Sequence, residues 1–245
     1  MGQQRSEVIL SATLNNIGIV LDRTRHAANI GAVCRVMKNL GFSNLHMVNP
    51  TEYGHLAAIR MIRGAEDILE NAAISPGFSE AVGDYHIAFA TSHRMKQGES
   101  LGIAAAAREI AALARGNRVA VVFGSEKYGL AREDLDRCGK VLAIPVDPAF
   151  PSINLAQAVA MVCLEVRLCL DGKPDIESAE RKIKLPIARR ARFYEEMGAL
   201  FAELNMGAPS VTEKVKDIFD RANLDAREQN LFYGLIKEVR RLKRN

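Results

Sequence analysis

The chain has 245 residues, of which 48% are hydrophobic and 25% are charged, a composition that excludes a wholly disordered chain, a collagen-like fibre and a coiled-coil rod. No stretch approaches the roughly 18 uncharged apolar residues that span a bilayer, and no basic segment followed by an apolar core opens the chain, so we expect a cytoplasmic protein. Residues 1–171 carry 17 Lys and Arg against 17 Asp and Glu, so the whole net charge of +4 lies in residues 172–245, as a solvated basic face or as a surface for a polyanion.

Short segments rich in β-branched residues alternate with helical patterns over the first 170 residues. The predicted strands are residues 18–21, 45–48, 86–90, 119–123 and 141–146, and the predicted helices are residues 29–40, 99–114 and 153–170. The last helix is apolar nearly all round, so we expect it to be buried, either in the core or in a subunit interface. The alternation predicts an α/β fold with a parallel sheet, helices on both faces, and ligands at the carboxyl ends of the strands.

The character of the sequence changes after residue 171. Residues 172–187 contain two prolines, many charges and few apolar residues, which predicts a linker between a first domain, residues 1–171, and a helical extension, residues 188–245. The predicted helices of the extension are residues 188–204, 211–222 and 227–243. In the last of them an apolar stripe is expected to pack on another helix, and it consists of Leu231, Leu235, Val239 and Leu242.

Several common catalytic motifs are absent from the sequence. There is no GxGxxG after the first strand, no GxxxxGK[ST] phosphate loop, no HExxH and no GxSxG. The five histidines show no metal-ligand spacing and the four cysteines form no CxxC pair, so we predict no metal site and four reduced, structural thiols. These absences weigh against most dehydrogenases, kinases, metalloproteases and serine hydrolases.

A first polar loop precedes the predicted helix 29–40. Asn29 and Gly31 lie at the start of this helix, and Arg35 lies off its apolar stripe. A helix N-terminus carries free N–H groups and a partial positive charge that favours an anion. Arg35 is therefore either a solvated arginine or a residue of an anion-binding site.

Two further polar loops follow later strands. In the second loop Glu126 lies between Gly124 and Gly129, as a plain loop carboxylate or as part of a site where the backbone approaches a ligand closely. In the third, three prolines stiffen the chain before Ser152 and Asn154, either of which could cap the apolar helix. All three loops are expected at the same edge of the sheet.

Together the three loops resemble the SpoU-TrmD (SPOUT) superfamily of RNA methyltransferases, specifically its ribose 2′-O branch. The residues that match its motifs are Asn29, Gly31 and Arg35, then Phe123, Gly124, Glu126, Gly129 and Leu130, then Ser152, Ile153, Asn154 and Ala158, with Ile153 in place of the usual Leu. The segments LHMVNP, FATSHR and FDRANLDAREQNLFYGLIKEV are similar to bacterial tRNA methyltransferases that modify a pyrimidine ribose in the anticodon loop.

This resemblance implies a C-terminal trefoil knot, a homodimer with active sites built from both subunits, and S-adenosylmethionine as cofactor, with no metal. The implied cofactor-binding residues are Thr91, Ser92, His93, Gly124, Ile144, Pro151, Ser152 and Ile153. The implied catalytic residues are Arg35, Glu126, Ser152 and Asn154, and the implied substrate-binding residues are Asn29, Gly31 and Arg35.

The implied reaction is 2′-O-methylation of cytidine or uridine ribose, of the position-32 type, in a tRNA held by residues 188–245. Arg35 would hold the adjacent phosphate or act as the base once that phosphate assists, and we favour the phosphate clamp because a free arginine stays protonated. An rRNA ribose methyltransferase and a non-catalytic RNA-binding protein of the same fold are the alternatives. The C-terminal helical extension argues against the first, and the intact motif residues argue against the second.

Overall fold

A computed structural model describes residues 2–51, 60–92, 100–171, 185–206, 209–222 and 224–243. The chain divides into two compact units, residues 1–179 and 180–245. The predicted linker, residues 172–187, lies mostly outside the described residues.

The first unit is built on one seven-stranded sheet in which every pair of neighbouring strands is parallel. Its strands are β1 (Ile17–Asp22), β2 (Asn44–Val48), β3 (Ala73–Ser75), β4 (Ile87–Ser92), β5 (Ser100–Gly102), β6 (Val119–Phe123) and β7 (Lys140–Ala143). They lie in the order β3-β2-β1-β6-β4-β7-β5. The central strands β1 and β6 are buried along their whole length because helices cover both faces. The predicted parallel sheet with flanking helices is confirmed.

The helices of the first unit are α1 (Gly2–Leu14), α2 (Ala27–Leu40), α3 (Glu66–Glu70), α4 (Phe78–Gly83), α5 (Ile103–Leu113), α6 (Arg132–Arg137) and α7 (Leu155–Asp171). Helix α2 ends as its sequence predicts. Gly41 adopts the left-handed conformation, φ 81°, in which its N–H and that of Phe42 reach the last carbonyl groups of the helix.

Helix α7 packs against α2 and α5. The expectation of a buried helix holds for one face only, where Val159, Val162 and Cys163 are at most 1% exposed. On the other face Met161, Leu164 and Leu168 are 43%, 47% and 58% exposed.

Proline and glycine explain two differences from the predicted elements. The strand predicted over residues 141–146 ends at Ala143, because Pro145 has no N–H to donate to a neighbouring strand. The helix predicted over residues 99–114 begins at Ile103, after Gly102, and the residues before it form β5 against β7. Helices α1, α3 and α4 and strand β3 were not predicted either, because each is short or carries no clear helical stripe or long β-branched run.

The second unit contains α8 (Ile187–Glu203), α9 (Pro209–Ala222) and α10 (Ala226–Lys243). Its core surrounds Phe193, whose ring contacts four other aromatic rings at centroid distances of 5.3–6.1 Å. The stripe predicted to pack in α10 is wrong at three of its four residues, because Leu231, Leu235 and Leu242 are 54–65% exposed, while Val239 packs on the core as predicted. Phe232 and Ile236 form the packed face with Val239, so the helix is rotated from the predicted position to bury an aromatic ring.

The four cysteines form no disulfide in the structure, and three of them, Cys34, Cys138 and Cys163, are buried. Burial raises the pKa of Cys34 and of Cys138 to about 12, which keeps both thiols protonated at neutral pH. No helix in the described ranges is long and apolar enough to cross a membrane.

Candidate functional site

The carboxyl ends of β6, β4 and β7, three neighbouring strands, surround a cavity of about 360 Å³. Small-molecule sites occupy roughly 300–1,000 Å³ and favour this edge of a parallel sheet. Each implied cofactor-binding residue that the structure describes lines this cavity, namely Thr91, Ser92, Gly124, Ile144, Pro151, Ser152 and Ile153. His93 lies outside the described residues.

The cavity wall combines apolar side chains with the polar backbone of two tight loops. Several wall residues were not predicted from the sequence to bind the cofactor, and they include Phe123, Leu130, Leu135 and Val146. Thr91 is a structural member of the wall, because its hydroxyl donates a 2.9 Å hydrogen bond to the Val122 carbonyl and joins β4 to β6. Among the described residues no three His, Cys, Asp or Glu side chains are grouped as metal ligands would be.

One side of the cavity is formed by a small hairpin, residues 124–130. Ser125 and Gly129 exchange two backbone hydrogen bonds of 3.2 and 2.8 Å, and Gly129 has φ +67°. A Cβ atom on Gly124 would lie 2.1 Å from the carbonyl carbon of Gly129 and 2.3 Å from the nitrogen of Leu130. Because both are backbone atoms of the same hairpin, the loop closes only with glycine at position 124.

The Glu126 carboxylate ties this hairpin to the chain entering α2. Its Oε1 accepts hydrogen bonds from the Asn29 side-chain amide at 2.8 Å and from the His26 N–H at 3.3 Å, and its Oε2 accepts one from the Arg25 N–H at 3.2 Å. Partial burial acts to raise the pKa of Glu126, but these hydrogen bonds outweigh burial and hold the pKa below its ordinary value of 4.5. An ionised, fully hydrogen-bonded carboxylate suits positioning better than proton transfer.

Asn154 extends the same connection to α7. Its side-chain N–H donates to Asn29 Oδ1 at 3.0 Å, while its Oδ1 accepts from the N–H groups of Ala156 and Gln157 at 2.9 and 3.3 Å. Asn154 is therefore the N-cap of α7, one of the two candidates that the sequence left open. We call the three hydrogen-bonded side chains Glu126, Asn29 and Asn154 the polar bridge.

Arg35 lies apart from this arrangement. It is exposed on α2 and is not among the residues that line the cavity. Its guanidinium has no hydrogen bond or ion pair within the described ranges. The structure of a single chain therefore joins Asn29, Glu126 and Asn154, and leaves the predicted arginine outside.

A charged cluster beneath the hairpin was missed by sequence reasoning. Arg23 donates to Asp22 Oδ2 at 2.9 and 2.7 Å and also contacts the Asp134 carboxylate, so it joins the end of β1 to α6. Asp22 and Asp134 are 1% and 5% exposed. Burial raises the pKa of Asp22 despite the neighbouring Arg23. An acidic residue directly after an apolar strand is the signal that could have indicated this cluster.

Comparison with known proteins identifies a family whose sequence model matches this chain. A model of the SpoU rRNA Methylase family matches residues 16–164. The tRNA (cytidine/uridine-2′-O-)-methyltransferase TrmJ of Pectobacterium atrosepticum is 32% identical over 244 residues, which cover 93% of this chain and 98% of the relative.

Solved structures agree with this match. A probable methylase family protein from Haemophilus influenzae Rd KW20 is 31% identical with a TM-score of 0.62, covering 93% of this chain and 97% of that one. The crystal structure of TrmJ from Z. mobilis ZM4 has a TM-score of 0.74 at 23% identity, covering 91% of this chain and 98% of that one. At 23% identity the second likeness concerns the fold alone.

The polar bridge predicts a pH-dependent contribution of Glu126 to stability. Glu126→Ala leaves the Asn29 amide and two backbone N–H groups without their acceptor, so the free energy of unfolding at pH 7 should fall by roughly 1–3 kcal/mol. Because the pKa is depressed in the folded state, this contribution is present above 4.5, the unfolded value, and is lost as pH falls through the folded pKa.

Urea unfolding at pH 7 and about pH 3 measures the effect. Glu133→Ala is the matched control, since Glu133 is an exposed carboxylate on the neighbouring α6. Equal stability of the two variants at pH 7 would contradict an anchoring role for Glu126.

Proposed function

The chain belongs to the SpoU rRNA methylase family, and from this membership we propose that it methylates the ribose 2′-oxygen of cytidine or uridine in tRNA. The membership confirms the resemblance that the three loops predict. The observation that carries the proposal is the polar bridge, through which Asn29 of the first motif is hydrogen-bonded to Glu126 and Asn154 of the other two motifs, whose loops line the cavity. The tRNA assignment follows the curated relative, and position 32 of the anticodon loop is the nucleotide we propose. Such an enzyme would act in the cytoplasm.

The cavity fits S-adenosylmethionine in size and in chemistry. Its volume of about 360 Å³ lies in the range for small ligands, and its wall supplies both apolar surface and backbone polar groups. Ile144 can cover an adenine face, while the backbone of the hairpin and of residues 151–153 can hydrogen-bond its edge. The bound cofactor supplies a methyl group on a positively charged sulfur, which an oxygen nucleophile can attack.

The residues of this chain bring the ribose to that cavity and hold it there. The polar bridge keeps the hairpin, the start of α2 and the start of α7 in one arrangement, so their backbone groups need no reordering when RNA binds. Ser152 lies at the cavity wall, where its hydroxyl can contact the ribose. In this proposal Glu126 and Asn154 position the loops, because the hydrogen bonds of both are already committed to protein groups.

Arg35 acts on the phosphate next to the target ribose. A guanidinium stays protonated and can hold a phosphate through two parallel hydrogen bonds, and it stabilises negative charge that develops on the attacking oxygen. Since Arg35 of the same chain lies outside the cavity wall, we propose that the arginine of a second subunit completes each site. The exposed apolar residues of α7, Met161, Leu164 and Leu168, would form the homodimer interface.

The proposed fold includes a C-terminal trefoil knot. After β7, residues 144–154 run along the cavity, and the helix that follows them, α7, packs against α2 and α5. The course of this segment beside the 124–130 hairpin supports the proposal that one loop is threaded through another, and threading would lock the cavity walls together.

The second unit would bind tRNA through phosphates. Each of its three helices carries an exposed cation without an ion pair among the described residues, and these are Arg192, Lys214 and Lys237. Residues 172–245 hold the entire net charge of +4. Charge of this sign attracts a polyanion.

The direct test is methyl transfer. Incubation of the protein with S-adenosylmethionine and tRNA, followed by mass spectrometry of the nucleosides, should yield 2′-O-methylcytidine or 2′-O-methyluridine.

Arg35→Ala should lower turnover by about 100-fold or more, because charge stabilisation at the transition state is lost, while cofactor affinity in calorimetry stays within twofold. Arg115→Ala, an exposed arginine at the end of α5, is the matched control. Full activity of the Arg35 variant would remove Arg35 from the mechanism.

Negative charges introduced on the exposed face of α7 test the proposed dimer interface. Leu164→Glu with Leu168→Glu should give a particle of one chain mass, 26.9 kDa, in analytical ultracentrifugation and should abolish methyl transfer. The control for subunit number is Leu231→Glu with Leu235→Glu, a pair of leucines on α10 that are exposed to a similar degree. A fully active monomer would refute a site shared between subunits.

The salt dependence of tRNA affinity tests the proposed phosphate contacts of the second unit. Replacing Arg192, Lys214 and Lys237 together by alanine should reduce the slope of log affinity against log salt by roughly 2–3, because each lost phosphate contact lowers the slope by about 0.7–0.9. Filter binding over a salt series measures the slope. The control replaces Arg63, Arg108 and Arg115 of the first unit, and an unchanged slope in the first variant would exclude this surface.

A further inference from the structure

Tyr128 occupies an unusual position for a large aromatic residue. It lines the cavity, yet it is 68% exposed, so its ring stands at the mouth with one side in solvent. Among the described aromatic residues of the first unit, only Tyr128 and Phe150, which is 75% exposed, are not buried, whereas Phe42, Phe89 and Phe123 are at most 1% exposed. Of the two exposed rings only that of Tyr128 lines the cavity.

The ring is held on a rigid support. The Ser125–Gly129 hydrogen bonds close the hairpin on both sides of Tyr128, and three hydrogen bonds to Glu126 attach that hairpin to the chain before α2. A group that is already fixed in place loses little conformational entropy when a ligand binds it.

Two cations flank the ring. The Arg25 guanidinium lies 5.8 Å and the Lys127 ammonium lies 5.1 Å from the ring centroid, distances typical of cation–π contacts. Both residues are exposed, and neither forms an ion pair within the parts of the chain that the structure describes. An aromatic ring accompanied by two cations that form no ion pair is thus presented at the cavity mouth.

We propose that Tyr128 stacks on the base of the nucleotide to be methylated, or on its immediate neighbour, while Arg25 and Lys127 bind the flanking phosphates. This inference rests on the proposed function and deepens it, because it names the group that holds the target nucleotide. Proteins recognise unpaired RNA bases by stacking them on aromatic side chains, and they bind the backbone with Arg and Lys.

The charges favour RNA over a protein partner. Covering Tyr128 with an apolar protein surface would also bury the Arg25 and Lys127 side chains, neither of which forms an ion pair in the described parts of the chain, and this carries a high desolvation cost. A nucleic acid supplies a flat base for the ring and a phosphate for each cation in one ligand. The proximity of the ring to the cavity wall matches a ribose that must reach the cofactor.

Two substitutions of Tyr128 distinguish stacking by the aromatic ring from packing by a bulky apolar side chain. Tyr128→Leu keeps an apolar side chain but removes the aromatic face, and should raise the KM for tRNA by about 5- to 150-fold, the range seen for loss of one stacked base. Tyr128→Phe keeps the face and should stay within twofold of the original KM. Because Tyr128 also lines the cavity, calorimetry with S-adenosylmethionine is run on both variants, and the rise in KM for tRNA should exceed any change in cofactor affinity. The mass in ultracentrifugation should be unchanged in both. An unchanged KM for Tyr128→Leu, equal impairment of Tyr128→Phe, or a change in subunit number would overturn the proposal.

A spectroscopic readout tests stacking without requiring turnover. The chain has no tryptophan, so Tyr128→Trp introduces a single indole whose fluorescence should be quenched when a tRNA anticodon stem-loop is added. Ile74→Trp is the control, on the edge strand β3, which β2 and β1 separate from β6. Equal quenching of the two variants, or none in either, would overturn stacking at Tyr128. If the parent protein transfers no methyl group to tRNA but Tyr128→Trp is still quenched selectively, the proposed function fails and RNA stacking stands.

Discussion

The polar bridge is the interaction on which the rest of the site depends. Asn29 donates to Glu126 and accepts from Asn154, so one amide holds together loops that lie about a hundred residues apart in the chain. Hydrogen bonds to a charged acceptor contribute more than neutral ones, roughly 1.5–3 kcal/mol each. Because the Glu126 carboxylate also accepts two backbone N–H groups, the start of α2, the hairpin and the cap of α7 form one polar unit.

The sheet determines where that unit can be placed. In a parallel sheet the carboxyl ends of neighbouring strands meet at one edge, and here β6, β4 and β7 are consecutive. Gly124 allows the hairpin to close against its own backbone, and Pro145 releases the chain from β7 so that residues 151–153 can form the opposite wall. The cavity is therefore a consequence of strand order together with a glycine that the hairpin requires and a proline that ends β7.

The charges divide the site into a positioning part and a part that contacts substrate. The side chains of Glu126 and Asn154 are hydrogen-bonded to protein groups. The side chains of Arg25, Arg35 and Lys127 are instead exposed and available to a ligand. A ligand with phosphates and flat bases would satisfy these cations and the exposed ring of Tyr128 at once. In our proposal the second subunit and the basic second unit provide the remaining contacts.

Local sequence signals determined much of this protein. Periodicity located α2, α7 and the central strands, Gly41 ended α2, and two of the three motifs contain residues that line the cavity. Local signals failed where packing competition decides: which face of α10 is buried, how far α7 is exposed, and whether three residues such as β5 pair with β7. These outcomes, like the Arg23 cluster and the polar bridge, depend on contacts between residues far apart in the chain. Tertiary structure alone decides them, because the energy of a hydrogen bond or a buried face depends on the partner that folding brings to it.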